Sequence, residues 1–181
     1  ISNYKQKIVK PYKHVNSYSI DNENFEAYPN RNSLPYIEEY LFSNKWKIKD
    51  FIRGTLRLDG WSSAWKDIFY MLENPSINLE SNIKAKSSEL WLEHQYKKHE
   101  KDRVVLNVSL EALNKNNERI WFNSFKLDES GSGENTAMAL LVSITLSAGI
   151  DLIINNNLKP GVQGAPNSKN HIEFFFKILK D

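Results

Sequence analysis

Apolar residues recur along the chain with two different spacings, and these spacings predict helices and strands in mixed order. The clearest helical pattern places apolar residues at steps of three and four, at Trp61, Ala64, Trp65, Ile68 and Leu72. Ser62 or Ser63 is the predicted N-cap, because a serine hydroxyl accepts a hydrogen bond from a free N–H of the first turn. Asn74-Pro75 is predicted to end this helix.

Further helices are predicted on either side of this one. The first is expected to start from a cap at Ser33, with Pro35 in its first turn, and to end near Phe42. The charged segment from Leu79 to Asp102 is predicted to be helical. The segment from His171 to Lys180 has its apolar residues on one side and predicts a closing amphipathic helix.

Alternating apolar and polar residues predict strands, most clearly in the middle of the chain. One alternating run extends from Arg103 to Leu113, and a second extends from Arg119 to Leu127 after the turn residues Asn114 to Asn117. Together they predict an antiparallel hairpin. Looser patterns predict one or two strands within Lys5 to Ile20 and single strands at Phe25 to Tyr28 and Phe51 to Leu58.

The longest apolar stretch runs from Ala137 to Ile154 and is predicted to be a buried helix. It has roughly the length of a membrane span. Its sequence is interrupted by Ser143, Thr145, Ser147, Gly149 and Asp151. We therefore expect no contact with a membrane. Because helices mix with at least one antiparallel pair of strands, the predicted fold class is α+β, a mixed or antiparallel sheet packed with helices.

Composition and charge narrow the kind of protein. A length of 181 residues is typical of one domain, which we expect to span residues 1–181. The absence of cysteine excludes disulfides, zinc–thiolate sites, iron–sulfur clusters and thiol catalysis. A net charge of +2 disfavours a nucleic-acid partner. The polar N-terminus is unlike a signal peptide, so a cytoplasmic protein is expected, or a mitochondrial matrix protein in a eukaryote.

General signatures of chemistry are sparse. The chain has only seven glycines, and neither Gly-x-Gly-x-x-Gly nor Gly-x-x-x-x-Gly-Lys, the usual loops for nucleotide phosphates, occurs in it. His94 and His99 are five residues apart, whereas a pair of metal ligands on a helix needs a spacing of three or four, so no metal is predicted. Because residue 1 is Ile1, we expect the chain to begin inside a longer protein.

Two short segments carry the candidate site. Tyr28-Pro-Asn-Arg-Asn-Ser33 precedes a predicted helix N-terminus, where free N–H groups favour anions and an arginine is able to hold a carboxylate. The alternative is a plain capping turn with a surface arginine. Further on, Arg53, Thr55 and Arg57 share one face of a predicted strand. They form either a dicarboxylate site or a salt-bridged edge.

In this order and spacing, the two segments resemble the glutamate-forming branch of the saccharopine dehydrogenase family, the saccharopine reductases. The family has Tyr-Pro-Asn-Arg-Asp-Ser and then Arg-Gly-Thr-Leu-Arg-Tyr-x-Gly, which stand here as Tyr28 to Ser33 and Arg53 to Gly60. Later segments also resemble the family, namely Asp102 to Leu106, Thr136 to Ala139, Gly161-Val162 and Pro166. The resemblance therefore runs from about Phe25 to the C-terminus.

The resemblance implies a function in lysine metabolism. Such enzymes have an N-terminal Rossmann domain that binds NADP or NAD, followed by an α+β substrate-binding and dimerisation domain, which this chain resembles. Their reaction interconverts saccharopine with glutamate and 2-aminoadipate 6-semialdehyde. The isolated chain is expected to be inactive. The implied partners are the amino-acid substrate, the chain's own Rossmann domain and a second copy in a homodimer.

The resemblance also implies a set of substrate-binding residues. The family's saccharopine-binding loop corresponds to Asn30, Arg31, Asn32 and Ser33, and its second motif to Arg53, Thr55 and Arg57. No general acid or base is assigned, and no cofactor-binding residue is expected in this chain.

Three departures from the family pattern keep an alternative open. The family's loop aspartate is Asn32, its aromatic residue in the second motif is Leu58, and its lysine in the apolar helix is Leu140. The helical insert before the hairpin also looks short. The alternative is a non-catalytic regulatory or oligomerisation module that kept the fold. A relative that reduces imines of polyamines is a further alternative, but cationic substrates call for carboxylates rather than arginines.

Overall fold

The structure is a computed structural model that describes residues 1–155, 158–162 and 164–179. Helices and two antiparallel sheets are interspersed along the chain, so the predicted α+β class is confirmed. The chain divides into two compact units, Ile1–Lys98 and His99–Asp181. The single domain expected over residues 1–181 stays a prediction.

The first unit is built on a three-stranded antiparallel sheet in the order β1-β2-β3. After a 3-10 helix at Pro11–Lys13, its elements are β1 (Asn16–Ile20), β2 (Glu23–Pro29), α1 (Pro35–Glu39), β3 (Gly54–Leu58), α2 (Trp61–Ala64), α3 (Lys66–Glu73) and α4 (Leu79–Glu93). Since side chains alternate along a strand, Phe25 and Ala27 share one face of β2, whereas Glu26 and Tyr28 share the other. Phe25, Ala27 and Ile20 are buried, so the apolar face of this sheet contributes to the core.

Helix α1 is shorter than predicted and starts differently. The prediction of Ser33 as its cap is wrong, because Leu34 occupies the cap position with helical backbone angles. The hydroxyl of Ser33 instead accepts a hydrogen bond from the backbone N–H of Arg53 at 3.3 Å. The helix ends at Glu39 rather than near Phe42. The hydroxyl that the local pattern assigned to the helix cap is thus hydrogen-bonded to Arg53, the residue that directly precedes β3.

The predicted central amphipathic helix is present as two pieces, α2 and α3, with Trp65 between them. Neither Ser62 nor Ser63 caps α2, so that prediction is wrong. The cap position holds Gly60, whose φ of +85° is in the left-handed region that glycine adopts without strain. Asn74 ends α3, as predicted.

Two other boundaries differ from the predictions. The segment from Lys5 to Ile20 contains one strand, β1, which begins at Asn16. Helix α4 ends at Glu93 rather than at Asp102. Residues 94–101 are exposed, so they bury no apolar face that would stabilise another helical turn.

A carboxylate at the end of α3 fastens the N-terminal segment to the first unit. Glu73 accepts hydrogen bonds from Lys10 Nζ at 2.8 Å, from Lys13 Nζ and from the hydroxyl of Tyr12. These donors, Lys10 first, lower the pKa of Glu73 from 4.5 to about 2. The ring of Tyr12 also stacks on Phe69 of α3 with centroids 5.2 Å apart. The segment is therefore held by one aromatic contact and one charged cluster.

The described residues of the second unit form a long hairpin and two helices, β4 (Arg103–Leu113), β5 (Arg119–Ser130), α5 (Ala137–Ile154) and α6 (Lys169–Ile178). The predicted antiparallel pairing is confirmed, with Arg103 opposite Ser130 at one end. Phe125 of β5 stacks on Phe176 of α6 at 5.4 Å. Helix α6 is confirmed through Ile178, while Lys180, its predicted last residue, lies outside the described residues.

Helix α5 starts from a hydrogen-bonded anchor at the beginning of β4. The carboxylate of Asp102 accepts hydrogen bonds from the N–H groups of Ala137 at 2.8 Å and Met138 at 3.1 Å, and Thr136 Oγ1 accepts one from Ala139. A Cβ at Gly131 would overlap with the carboxylate of Asp102. Two segments that resemble the family outside the candidate site therefore form the start of this helix.

The prediction that α5 is buried is wrong for the described part of the chain. Only 17% of the helix is buried, and the buried residues Ala137, Ala148 and Leu152 lie on one side. Leu146 is 63% exposed and Ile150 45% exposed. The hairpin and α6 cover one side of an apolar helix and leave the rest uncovered. By length and composition alone, α5 is apolar enough to cross a membrane.

The Glu73 cluster predicts a specific pH dependence of stability. The pKa of Glu73 is about 2 in the folded protein, below the unfolded value of 4.5. The ionised carboxylate therefore contributes fully to the free energy of unfolding above pH 4.5. This contribution is lost as the pH falls toward 2. Glu73→Gln should therefore lower the free energy of unfolding at pH 7, and the difference from wild type should shrink in acid. Urea unfolding from pH 7 to about 2.5 measures this, with Glu39→Gln as the control. A difference that is independent of pH would contradict it.

The anchor of α5 predicts a loss of stability when its carboxylate is removed. Asp102→Ala should lower the free energy of unfolding by about 1–2 kcal/mol, a typical value for a lost helix cap and dipole partner. Asp102→Asn should lower the free energy of unfolding by less, because the asparagine side chain keeps one oxygen that accepts a hydrogen bond. Urea unfolding measures both variants, and Asp59→Ala is the control for loss of an exposed carboxylate. Equal effects of the two alanine substitutions would refute the anchor.

Candidate functional site

Strands β2 and β3 bring the two candidate segments together. In their antiparallel register Tyr28 lies opposite Thr55 and Pro29 lies opposite Gly54. The pairing continues beyond the strand ends, because the N–H of Asn30 donates to the carbonyl oxygen of Arg53 at 2.8 Å. The start of the first segment, Tyr28 to Ser33 (the polar loop), therefore lies beside the start of the second segment, Arg53 to Gly60.

The polar loop is fastened by its own side chains. Asn32 Oδ1 accepts a hydrogen bond from the N–H of Leu34 at 3.1 Å, and the hydroxyl of Ser33 accepts one from Arg53. Arg31 has a φ of +48°, in the left-handed region that residues other than glycine adopt uncommonly. The exposed guanidinium of Arg31 has no hydrogen bond or ion pair with the residues that the structure describes.

Arg53, which directly precedes β3, and Arg57, which lies in β3, each contact at least one aromatic ring. The guanidinium carbon of Arg53 is 3.4 Å from the centroid of the Tyr36 ring. Arg57 donates from Nη2 to the hydroxyl of Tyr28 at 3.0 Å, and its guanidinium lies 5.7 Å from that ring and 5.8 Å from Trp61. Tyr28 and Trp61 stack on each other with centroids 5.0 Å apart. Both arginines thus have cation–π partners.

The nearest strand carboxylate is engaged elsewhere. Glu26 lies opposite Arg57 in the pairing of β2 with β3. Its carboxylate, however, accepts hydrogen bonds from the N–H of Ser62 at 2.6 Å and from the hydroxyl of Ser62 at 2.8 Å. Among the described residues, neither Arg53 nor Arg57 forms an ion pair. The salt-bridged edge that the sequence left open is therefore not observed in this part of the chain.

Arg103 of the hairpin, in contrast to the site arginines, forms an ion pair with a carboxylate of the same chain, Asp128. Arg103 donates to both carboxylate oxygens of Asp128, at 2.6 Å from Nε and 2.5 Å from Nη2. These hydrogen bonds lower the pKa of Asp128 below its ordinary value. The arginines of the candidate site lack a carboxylate partner in the described structure. Apart from Arg57 Nη2, which donates to Tyr28, their guanidinium donors are available to an external carboxylate.

All seven predicted substrate-binding residues lie in these two adjacent segments. Three pairs are in register or hydrogen-bonded, which are Asn30 with Arg53, Ser33 with Arg53, and Thr55 with Tyr28. Arg31 and Asn32 lie in the connecting loop, and Arg57 lies on the same face of β3 as Thr55. Their role in binding a substrate stays a prediction.

Sequence reasoning missed three residues that surround the arginines: Tyr36, Trp61 and Glu26. Trp61 follows directly after the second segment, and Tyr36 lies in the helix after the first, so aromatic residues close to arginine segments were the available signal. Nothing in the sequence pairs Glu26 with Ser62, since the two are far apart along the chain. No group of three or more His, Asp or Glu residues arranged to hold a metal occurs in the described ranges.

Comparison with protein families finds one match that covers the chain. Residues 2–181 match the family described as Saccharopine dehydrogenase C-terminal domain. A search of curated proteins finds no match, and neither does a search of solved structures. The family match includes both candidate segments and the anchor of α5.

Proposed function

The chain belongs to the saccharopine dehydrogenase family as its C-terminal domain, an oxidoreductase family, and from this premise we propose that it binds the substrate of such an enzyme. The proposed reaction interconverts saccharopine with glutamate and 2-aminoadipate 6-semialdehyde in lysine metabolism. The single observation that carries the proposal is the group of arginines, Arg31, Arg53 and Arg57, without carboxylate partners in the described structure.

Charge complementarity supports this substrate. Saccharopine carries three carboxylates at neutral pH, and arginine binds carboxylates through two parallel hydrogen bonds. A cationic polyamine would be repelled by the same arginines, so the polyamine alternative is disfavoured. The contribution of this chain to the reaction is then to bind and orient the acidic substrate.

Two of the departures from the family pattern leave the geometry of the site intact. Asn32 accepts the N–H of Leu34 through its Oδ1, which an aspartate oxygen would do equally well, so only the charge differs. Leu58 lies opposite Phe25 in the sheet, on the face turned away from Arg57. Neither departure removes a hydrogen bond that fastens the loop.

NADP or NAD is the proposed cofactor, bound by an N-terminal Rossmann domain of the same protein. Such dinucleotides bind at the carboxyl ends of parallel strands, beside a glycine-rich turn. Both described sheets of this chain are antiparallel, so its described residues do not fit that cofactor. The nicotinamide supplies the hydride chemistry when bound.

The non-catalytic module remains the second candidate, and the observation in its favour is Leu140. The family's lysine at this position is replaced by an apolar side chain that is 39% exposed on α5. A titration calorimeter distinguishes the two candidates when saccharopine or glutamate is added to the complete protein with cofactor present. Heat of binding supports the substrate site, and its absence favours the module.

A homodimer is the proposed assembly, and the outward side of α5 is the proposed contact. Its exposed apolar residues recur at steps of four, at Met138, Val142, Leu146 and Ile150. Such an uncharged stripe is able to pack against its own copy about a twofold axis. A membrane is the less suitable partner, because α5 packs on β4. In the part of the chain that the structure describes, no third strand pairs with the hairpin of β4 and β5, and lipid does not tolerate sheet edges that lack such a strand.

The loop assignment predicts a kinetic effect of Arg31. In the complete enzyme, Arg31→Ala should raise KM for saccharopine tenfold or more, corresponding to about 1.4 kcal/mol of lost binding free energy, because one carboxylate loses its partner. Steady-state kinetics with saccharopine and the nicotinamide cofactor measure the change. Arg119→Ala is the matched control on the hairpin and should leave KM within about twofold. An unchanged KM for Arg31→Ala would contradict the assignment of Arg31 to substrate binding.

The proposed dimer contact predicts that a charge on α5 separates the subunits. Wild-type chain should elute at twice the monomer mass, and Leu146→Glu should elute as a monomer because a buried, unpaired carboxylate is costly. Size-exclusion chromatography with light scattering measures the mass, with Ile77→Glu as the control for a charge at another exposed apolar position. A monomeric wild type, a dimer that survives Leu146→Glu, or a monomer that partitions into liposomes would each refute this contact.

A further inference from the structure

The closest cation–π contact of a site arginine in the described structure is that of Arg53 with the ring of Tyr36. The guanidinium carbon of Arg53 lies 3.4 Å from the centroid of Tyr36, which is van der Waals contact. The corresponding distances of Arg57 to the rings of Tyr28 and Trp61 are 5.7 and 5.8 Å. Arg53 is also half-buried, where a cation–π contact is stronger than at an exposed position.

The kind of contact decides what the guanidinium can still bind. A carboxylate partner occupies the N–H donors, as Asp128 does for Arg103. A ring beneath the guanidinium plane attracts the positive charge and leaves the in-plane N–H donors for another acceptor. Stacking therefore holds Arg53 in place without using the donors that a substrate carboxylate needs.

A single serine connects the two stacked residues. The carbonyl oxygen of Ser33 accepts a hydrogen bond from the N–H of Tyr36 at 3.1 Å, and its hydroxyl accepts one from the N–H of Arg53 at 3.3 Å. The backbones of Tyr36 and Arg53 are thus both tied to the last residue of the polar loop. The loop conformation therefore holds the backbones of the two residues at fixed positions next to Ser33.

We propose that Tyr36 is a positioning residue of the substrate site, whose ring holds the guanidinium of Arg53 ready for a carboxylate of the substrate. The inference rests on the proposed function, because it takes a substrate with several carboxylates. Tyr36 acts through Arg53. Its aromatic face carries the effect and its hydroxyl does not, so phenylalanine is expected to replace it.

Substitutions at Tyr36 and Tyr40 test this in the complete enzyme. Tyr36→Leu should raise KM for saccharopine about 3- to 30-fold, the range expected for a lost cation–π contact, with kcat within about twofold. Tyr36→Phe should restore the wild-type KM. Tyr40→Leu is the matched control, since the Tyr40 ring lies 5.5 Å from Tyr36 in the same aromatic cluster. Equal effects of the two leucine substitutions, or failure of phenylalanine to restore KM, would overturn the proposal.

A probe other than saccharopine separates this inference from the proposed function. If the complete enzyme does not act on saccharopine, the proposed function fails. The Arg53 Nε–Hε NMR signal of the chain is then followed during titration with citrate, a tricarboxylate. A citrate-dependent shift in wild type and Tyr36→Phe that is weaker in Tyr36→Leu supports the positioning role. No shift in wild type, or the same shift in all three proteins, overturns it.

Discussion

The antiparallel pairing of β2 with β3 is the constraint on which the candidate site depends. The ladder continues past the strand ends through the hydrogen bond from Asn30 to Arg53, so the polar loop leaves the sheet beside the second arginine segment. A register shift of one residue would turn Thr55 and Arg57 to the opposite face. Such a shift is opposed by the core face of β2, because it would turn the charged side chain of Arg57 toward the buried residues Phe25 and Ala27. The core face of the sheet thus determines where the arginines lie.

The distribution of charge follows from how each carboxylate is used. Glu26 is bound by Ser62 at the start of α2, Glu73 by the N-terminal segment, and Asp128 by Arg103. Within the described residues, Arg53 and Arg57 of the site lie against aromatic rings and form no ion pair. A positively charged site held by rings is suited to an acidic ligand, because no internal salt bridge has to break before the ligand binds.

Two of the other segments that resemble the family, at Asp102 and at Thr136, have a structural role. Asp102 and Thr136 accept hydrogen bonds from N–H groups in the first turn of α5, and Gly131 leaves room for the carboxylate. The same helix presents an apolar stripe that the described part of the second unit does not cover. Exposed apolar patches commonly mark interaction sites, which is the basis of the dimer contact proposed for α5.

The sequence by itself determined the α+β class, the hairpin and the two arginine segments, because alternation, amphipathic spacing and motifs are local properties of the chain. It could not assign Ser33 and Ser62, whose hydrogen bonds go to Arg53 and Glu26 rather than to a helix cap. It also could not assign the ring of Tyr36 to Arg53, or find that α5 is apolar yet exposed. Only the tertiary structure decided these points, because they depend on which distant segment lies beside each residue.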